Sequence, residues 1–176
     1  WVHCMAVREK TCGKLTFLGC PGQAAGCLSE YVVIQDSCCF PTGARITLEQ
    51  GALCEPLSIG IYAVQQAQLK KGASIAILGA GPIGLSCMLA AKRMGIDRIY
   101  MTEKIGERIN VANAQNVTWI GNPDRVEVVK EITNREPTGV DAVFECAGQQ
   151  ETLDQATQML VSGGKLMVIG IPQVER

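Results

Sequence analysis

From residue 74 onward, apolar positions switch repeatedly between the two-residue period of a strand and the spacing of a helix. "SIAIL" (74–78) is a β-branched and aliphatic run of strand length, and "IGLSCMLAAKRMG" (83–95) has helical spacing and stops at Gly95. The alternation continues with a strand at 98–102 ("RIYMT"), a helix at 106–115 and a short strand at 117–120. A helix at 124–135 follows, with Asp124 as its N-cap, then a strand at 140–146 ("VDAVFEC"), a helix at 151–160 and a strand at 165–171. Strands joined by helical crossovers predict an α/β fold, a doubly wound parallel sheet with right-handed connections. Only five strands are predicted, and the usual dinucleotide sheet has six, so one edge is expected to be missing.

Before residue 69 the texture differs. Short β-like pieces such as "SEYVVI" sit among loops rich in Gly, Pro and Cys, and the change falls at "LKKGAS" (69–74). Two parts are therefore expected, residues 1–68 and 69–176. A chain of 176 residues suffices for one domain with a full core, or for a domain with part of another.

Composition narrows the classes. The apolar fraction of 47% suits a packed core, and aromatics at 5% beside 19 glycines suit a fold built on tight βα turns. The formal net charge is −1, without long runs of like charge, which argues against nucleic-acid or polybasic membrane contacts. No apolar run reaches the length of a membrane span, and no signal-peptide pattern opens the sequence. The nine cysteines are an odd number in apolar surroundings, which fits buried thiols in a reducing cytoplasm better than a disulfide framework.

The chemistry concentrates at "GAGPIG" (79–84), between a predicted strand and a predicted helix. Gly79 allows a tight turn out of the strand, Gly81 lets the backbone approach a pyrophosphate, and Gly84 lets the helix pack on the sheet. Pro82 and Ile83 open the helix, whose N-terminus favours negative charge. Taken alone, such a motif is weak, and a glycine-rich turn without a ligand is the plain alternative. Here an acidic strand end answers it: Glu103 stands about twenty positions after Gly84. A carboxylate there can accept both ribose hydroxyls and would repel a 2′-phosphate, which favours NAD over NADP. Lys104 and Arg108 follow and could instead neutralise a phosphate, or simply begin a solvated helix. The strand ends "CAG" (146–148), with Ala147 and Gly148, and "GIP" (170–172), with Ile171, can line the cofactor, or can be ordinary turns.

One residue upstream raises a separate question. "GALCEPLSIGIYAV" (51–64) carries a single carboxylate, Glu55, in an apolar run, where burial is costly without a positive or protic partner. It can be a helix N-terminal acid before Pro56, favoured by the helix dipole.

In this order, "LEQGALCEPLSIGIYAV", "ILGAGPIGLSCMLAAKRMG", "YMTEK", "GVDAVFECAG" and "GGKLMVIGIP" resemble the zinc-containing medium-chain dehydrogenases, especially their polyol branch of sorbitol or iditol dehydrogenases. The resemblance implies that 1–68 is the last part of a β-rich GroES-like catalytic domain with its hinge helix. It implies that 69–176 is a Rossmann domain truncated after its fifth strand. Glu55 would then stand beside the catalytic zinc, as a ligand or as a partner of zinc-bound water, and Ile59 would pack on the nicotinamide ring. A divalent cation would offset the burial of a carboxylate and acidify a bound alcohol. The implied activity is oxidation of a secondary alcohol of a polyol, with hydride transfer to NAD, in a homo-oligomer (dimer or tetramer).

Departures from that pattern matter as well. The other catalytic-zinc ligands of the family, an N-terminal Cys and a Gly-His-Glu motif, are absent, and the one histidine is His3. Three protein ligands are needed, so Glu55 alone cannot hold the metal. The sequence thus reads as an internal piece of a dehydrogenase about twice as long. Cys4 and Cys12 match two thiols of the family's structural-zinc lobe, or are free loop thiols. Phe17 resembles a substrate-pocket aromatic of the polyol enzymes, or is plain core. Two rival readings stand beside this one: a zinc-free quinone or enoyl reductase using NADPH, and a non-catalytic nucleotide-binding module.

Overall fold

In the computed structural model, residues 12–172 are described, and they divide into two compact units with the boundary between Arg45 and Ile46. In the first unit, residues 12–45 form one isolated bridge, Leu18 to Ala24, and a 3-10 turn at Asp36–Cys38. "SEYVVI", expected to be β-like, pairs with no strand there, and Tyr31 and Val33 are exposed. An extended run becomes a strand only when a neighbour takes its backbone groups.

The second unit holds the predicted alternation. It begins with helices α1 (Leu48–Ala52) and α2 (Cys54–Ala67). Thr47 caps α1 with a reciprocal capping box, its side chain accepting from Gln50 N–H while Gln50 accepts from Thr47 N–H. There follow β1 (Ser74–Leu78), α3 (Pro82–Arg93), β2 (Arg98–Thr102), α4 (Gly106–Ala114) and β3 (Trp119–Gly121). The unit continues with α5 (Val128–Arg135), β4 (Val140–Glu145), α6 (Gln150–Met159) and β5 (Leu160–Val168). All strands are parallel, in the order β3-β2-β1-β4-β5. The chain therefore reverses its direction of travel across the sheet at β1, with β2 on one side and β4 on the other. Crevices for ligands open at such a point, beyond the carboxyl ends of the strands.

Strand alternation fills both faces. Ile75, Ile77, Ile99, Met101 and Phe144 pack on one face with α2 and α3, through Val64, Met88 and Ala91. Ala76, Leu78, Tyr100 and Val143 pack on the other with α5 and α6, through Val128, Ile132 and Met159. Burial on both faces explains why β1 and β4 read as nearly continuous apolar runs. Helix α2, which the sequence groups with the first part of the chain, packs against the sheet-bearing unit through Ala63, Val64 and Ala67.

At the amino end of β2, the buried Glu136 accepts from Tyr100 Oη at 2.8 Å and pairs with Arg98 Nη1 at 3.0 Å. Burial, and then this bond to Glu136, push the Tyr100 phenol up to about 12.

Two element boundaries differ from expectation. The helix expected from Asp124 begins at Val128, and Glu127 is its N-cap. Residues just before it make a turn instead: Asn122 Oδ1 accepts from Asp124 N–H, and Asn122 C=O accepts from Arg125 N–H. The Asn side chain supplies a local alternative to the helix. The strand expected at 165–171 runs from Leu160 to Val168, directly out of α6, with a register shift between Val140 and Ala142. It stops because Ile169 and Gly170 N–H both turn to the Glu145 carbonyl. Ile171 consequently lies outside the strand and is exposed.

Candidate functional site

The first glycine turn sits where β1 ends. Gly79 takes φ +104°, a left-handed region that a side chain disfavours, and its N–H still bonds to Thr102 C=O at the end of β2. Gly81 is the N-cap of α3 and Pro82 its first residue, with φ preset for a helix start. A Cβ on Gly84 would fall on the Gly79 carbonyl, so this glycine is what lets α3 approach the turn.

Gly81 differs from both. Its backbone is extended at φ −69°, which any residue adopts, and a Cβ there would meet nothing nearer than Arg108 Nη1 at 3.6 Å. Among the described residues, nothing requires a glycine at this position. The bare backbone faces outward, at a helix end whose first N–H groups have no intrahelical partner. Such an end attracts an anion, and a missing side chain lets one come close.

Glu103, just beyond β2, is buried at 8% exposure. Its Oε1 accepts from Lys104 N–H at 2.8 Å and Ile105 N–H at 3.1 Å, and its Oε2 accepts from Ala80 N–H at 3.0 Å. The carboxylate thus holds the glycine turn against the end of β2. A carboxylate has about four acceptor positions, so these bonds leave about one for a ligand, not the two that both ribose hydroxyls would need. Arg108 Nη1 stands 3.7 Å from Oε2, with its side chain half exposed. Lys104 is drawn away to Asp124 at 2.6 Å, and that bond raises its pKa.

These residues open into a cleft of about 590 Å³ at the carboxyl ends of β1, β2 and β4. Gly79, Gly81, Glu103, Arg108 and Ala147 all line it. Cys146, from the "CAG" strand end, lines its β4 side with Gln149, Glu151, Thr152 and Gln155, four residues that no sequence motif marks. The neighbouring Cys87 thiol, and then burial, push the pKa of the Cys146 thiol up. Gly148 lies behind the cleft wall, its N–H bonded to Glu145 Oε1, with the Ile171 backbone against it. Glu145, which bonds this turn, is a further residue without an expected role. An acid ending the apolar run "VDAVFEC" was the available signal.

The remaining candidates stand elsewhere. Glu55 lies in the first turn of α2 and is exposed, and Ile59, one turn on, is 37% exposed; neither lines the cleft. The expected burial of the Glu55 carboxylate is not found, because the apolar side of α2 turns Ala63, Val64 and Ala67 to the core and leaves the first turn outside. Among the described residues, no group of three or more His, Cys, Asp or Glu could hold a metal ion. The described residues therefore do not by themselves make a zinc site. Cys4 and His3 lie outside the described residues, Phe17 is exposed in the first unit, and Lys14 N–H donates to Cys12 Sγ. Among the described residues, no helix is long and apolar enough to cross a membrane.

Known proteins agree with this geometry. A zinc-binding dehydrogenase of Sinorhizobium meliloti 1021, solved with NADP bound, superposes with a TM-score of 0.88 at 31% identity, over 99% of this chain and 52% of that one. The L-idonate 5-dehydrogenase of Vitis vinifera is 34% identical over 177 residues, which cover 98% of this chain and 48% of that protein. The sorbitol dehydrogenase of Bacillus subtilis (strain 168) is 34% identical over 172 residues, covering 96% and 48%. The chain spans about half the length of the curated relatives it matches. The zinc-binding dehydrogenase family itself matches residues 82–176, from the first residue of α3 onward. With the glycine turn, the acidic strand end and the parallel sheet in place, this chain belongs to the zinc-binding dehydrogenase family.

Proposed function

We propose that this chain binds a nicotinamide dinucleotide, with NAD preferred, as the cofactor-holding part of an alcohol or polyol dehydrogenase. The observation that carries the reading is Gly81, a glycine that the protein's own packing does not need, at a helix start beside a fixed carboxylate. When bound, the cofactor would supply the hydride acceptor, and the chain would supply its alignment. The first turn of α3 would take the pyrophosphate, and Glu103 would accept one ribose hydroxyl at its open position. Ala147 and Thr152 would border the other half of the cofactor on the β4 side. The names of the relatives support a secondary alcohol of a polyol or sugar acid as the substrate class. Zinc carries no step in this reading, because Glu55 is one exposed carboxylate and its partner ligands are not among the described residues.

A second reading has an observation of its own. Arg108 reaches over the glycine turn, 3.7 Å from Glu103, and the Sinorhizobium relative was solved with NADP. In that reading Arg108 would pair with a 2′-phosphate. Fluorescence titration of the chain with NADH and NADPH decides between them. Tighter NADH binding is expected. Equal or tighter NADPH binding would pass the assignment to Arg108, and no binding of either would end the nucleotide reading.

A further inference from the structure

We infer that Glu145 is a positioning residue for the half of the cleft that lies over β4, an inference that rests on the dinucleotide reading above. Glu145 ends β4 with no exposed surface. A single oxygen, Oε1, accepts three bonds: from Ala147 N–H and Gly148 N–H at 2.8 Å each, and from Thr152 Oγ1 at 2.7 Å. Its main-chain carbonyl accepts from Ile169 and Gly170 N–H at 2.9 Å each. One residue therefore ties together the turn after β4, the first turn of α6 and the end of β5.

The other oxygen, Oε2, is buried and meets no donor among the described residues. It points at Gly170, where a Cβ would stand 2.5 Å away, and Gly148 packs against the same glycine. Burying a carboxylate with one oxygen unmatched is costly, and an apolar strand end would avoid that cost. What the carboxylate achieves is orientation. With the Ala147 and Gly148 N–H groups bonded to Oε1, the turn is held in place, and Cys146 and Ala147 line the cleft as its wall. This wall lies on the β4 side of β1, opposite Glu103 on the β2 side. A dinucleotide held at α3 with one ribose at Glu103 extends its other half over that wall. Glu145 touches none of the cofactor; it sets the surface on which that half rests.

The test compares two conservative variants with the parent chain, using two probes. Glu145→Gln keeps the reach and an oxygen for the loop, while Glu145→Asp keeps the charge and withdraws the oxygen by about 1.5 Å. ADP spans only the α3 and β2 side, whereas NADH spans the whole cleft. Glu145→Asp is expected to bind NADH about tenfold more weakly, as loss of the loop's hydrogen bonds predicts, with ADP within about twofold of the parent. Glu145→Gln is expected to hold NADH within about threefold. Unchanged NADH binding by Glu145→Asp, or a parallel loss of ADP, would overturn the positioning role. A Glu145→Asp chain that does not fold would also overturn it, since the residue would then serve stability alone. If the parent chain binds neither probe, the dinucleotide reading itself fails, and that result is distinct from a variant that behaves like a binding-competent parent.

Discussion

Replacing Glu103 by Gln separates its hold on the glycine turn from the repulsion of a 2′-phosphate proposed for it. The side chain keeps its shape but has one oxygen instead of two. If that oxygen stays with Lys104 and Ile105 N–H, the new amide group faces Ala80 N–H, donor against donor. A buried donor left without an acceptor costs about 1–3 kcal/mol. For a chain of this size, a loss of about 2 kcal/mol lowers Tm by about 4–8 °C. The charge has its own effect. Two like unit charges about 5 Å apart repel by about 3 kcal/mol at an effective dielectric of about 20. Arg108, half exposed at 3.7 Å, and water in the open cleft offset part of this. About 1.5 kcal/mol should remain, or about tenfold in the ratio of NADPH to NADH Kd. Glu103→Gln should therefore bring that ratio to within about twofold of unity while Tm falls by the amount above. Fluorescence titration with both nucleotides, with melting followed by circular dichroism, measures both. A variant that keeps the parent's ratio would refute the carboxylate as selector. An unshifted Tm would refute its bond to the turn.

Other outcomes follow from the same geometry. Gly84→Ala places a methyl group on the Gly79 carbonyl, so α3 must move off the turn. A cost of about 1–3 kcal/mol is expected, with nucleotide binding lost in titration even where the folded fraction stays high. Gly81→Ala, by contrast, should leave Tm within about 2 °C, because its methyl has room, while weakening NADH binding through the ligand itself. Tyr100 holds its proton more tightly in the folded state, up to about 12 against 10.0 for a free phenol. Its contribution is therefore whole below about pH 10 and is lost as pH rises through about 12. Urea unfolding should show stability falling by up to about 3 kcal/mol across that window, and Tyr100→Phe should flatten the slope.

Much of this architecture is legible in one dimension, because its rules are local. Strands buried on both faces must be largely apolar, as "SIAIL" and the "AVF" centre of "VDAVFE" are, and helices between them must keep an apolar stripe. The glycine turn is local in part: Gly84 answers to the Gly79 carbonyl five residues back and Gly79 to its own positive φ, although Gly79 also packs against the Cys146–Ala147 backbone. Segments failed where a side chain competed with the backbone, as Asn122 does before α5, or where pairing partners decide, as at "SEYVVI" and the end of β5.

Only the tertiary structure decides where the two acids stand and what they bond. Glu103 and Glu55 both read as candidates on the chain. Folding buries the first among N–H groups from three residues and leaves the second exposed on α2. Glu145, marked in the sequence only as an acid ending an apolar run, acquires its partners when β4, α6 and β5 converge. Periodicity encodes which face of an element meets the core, because that depends on near neighbours in the chain. The partners of a buried carboxylate come from elements far apart in sequence, and no local pattern records them.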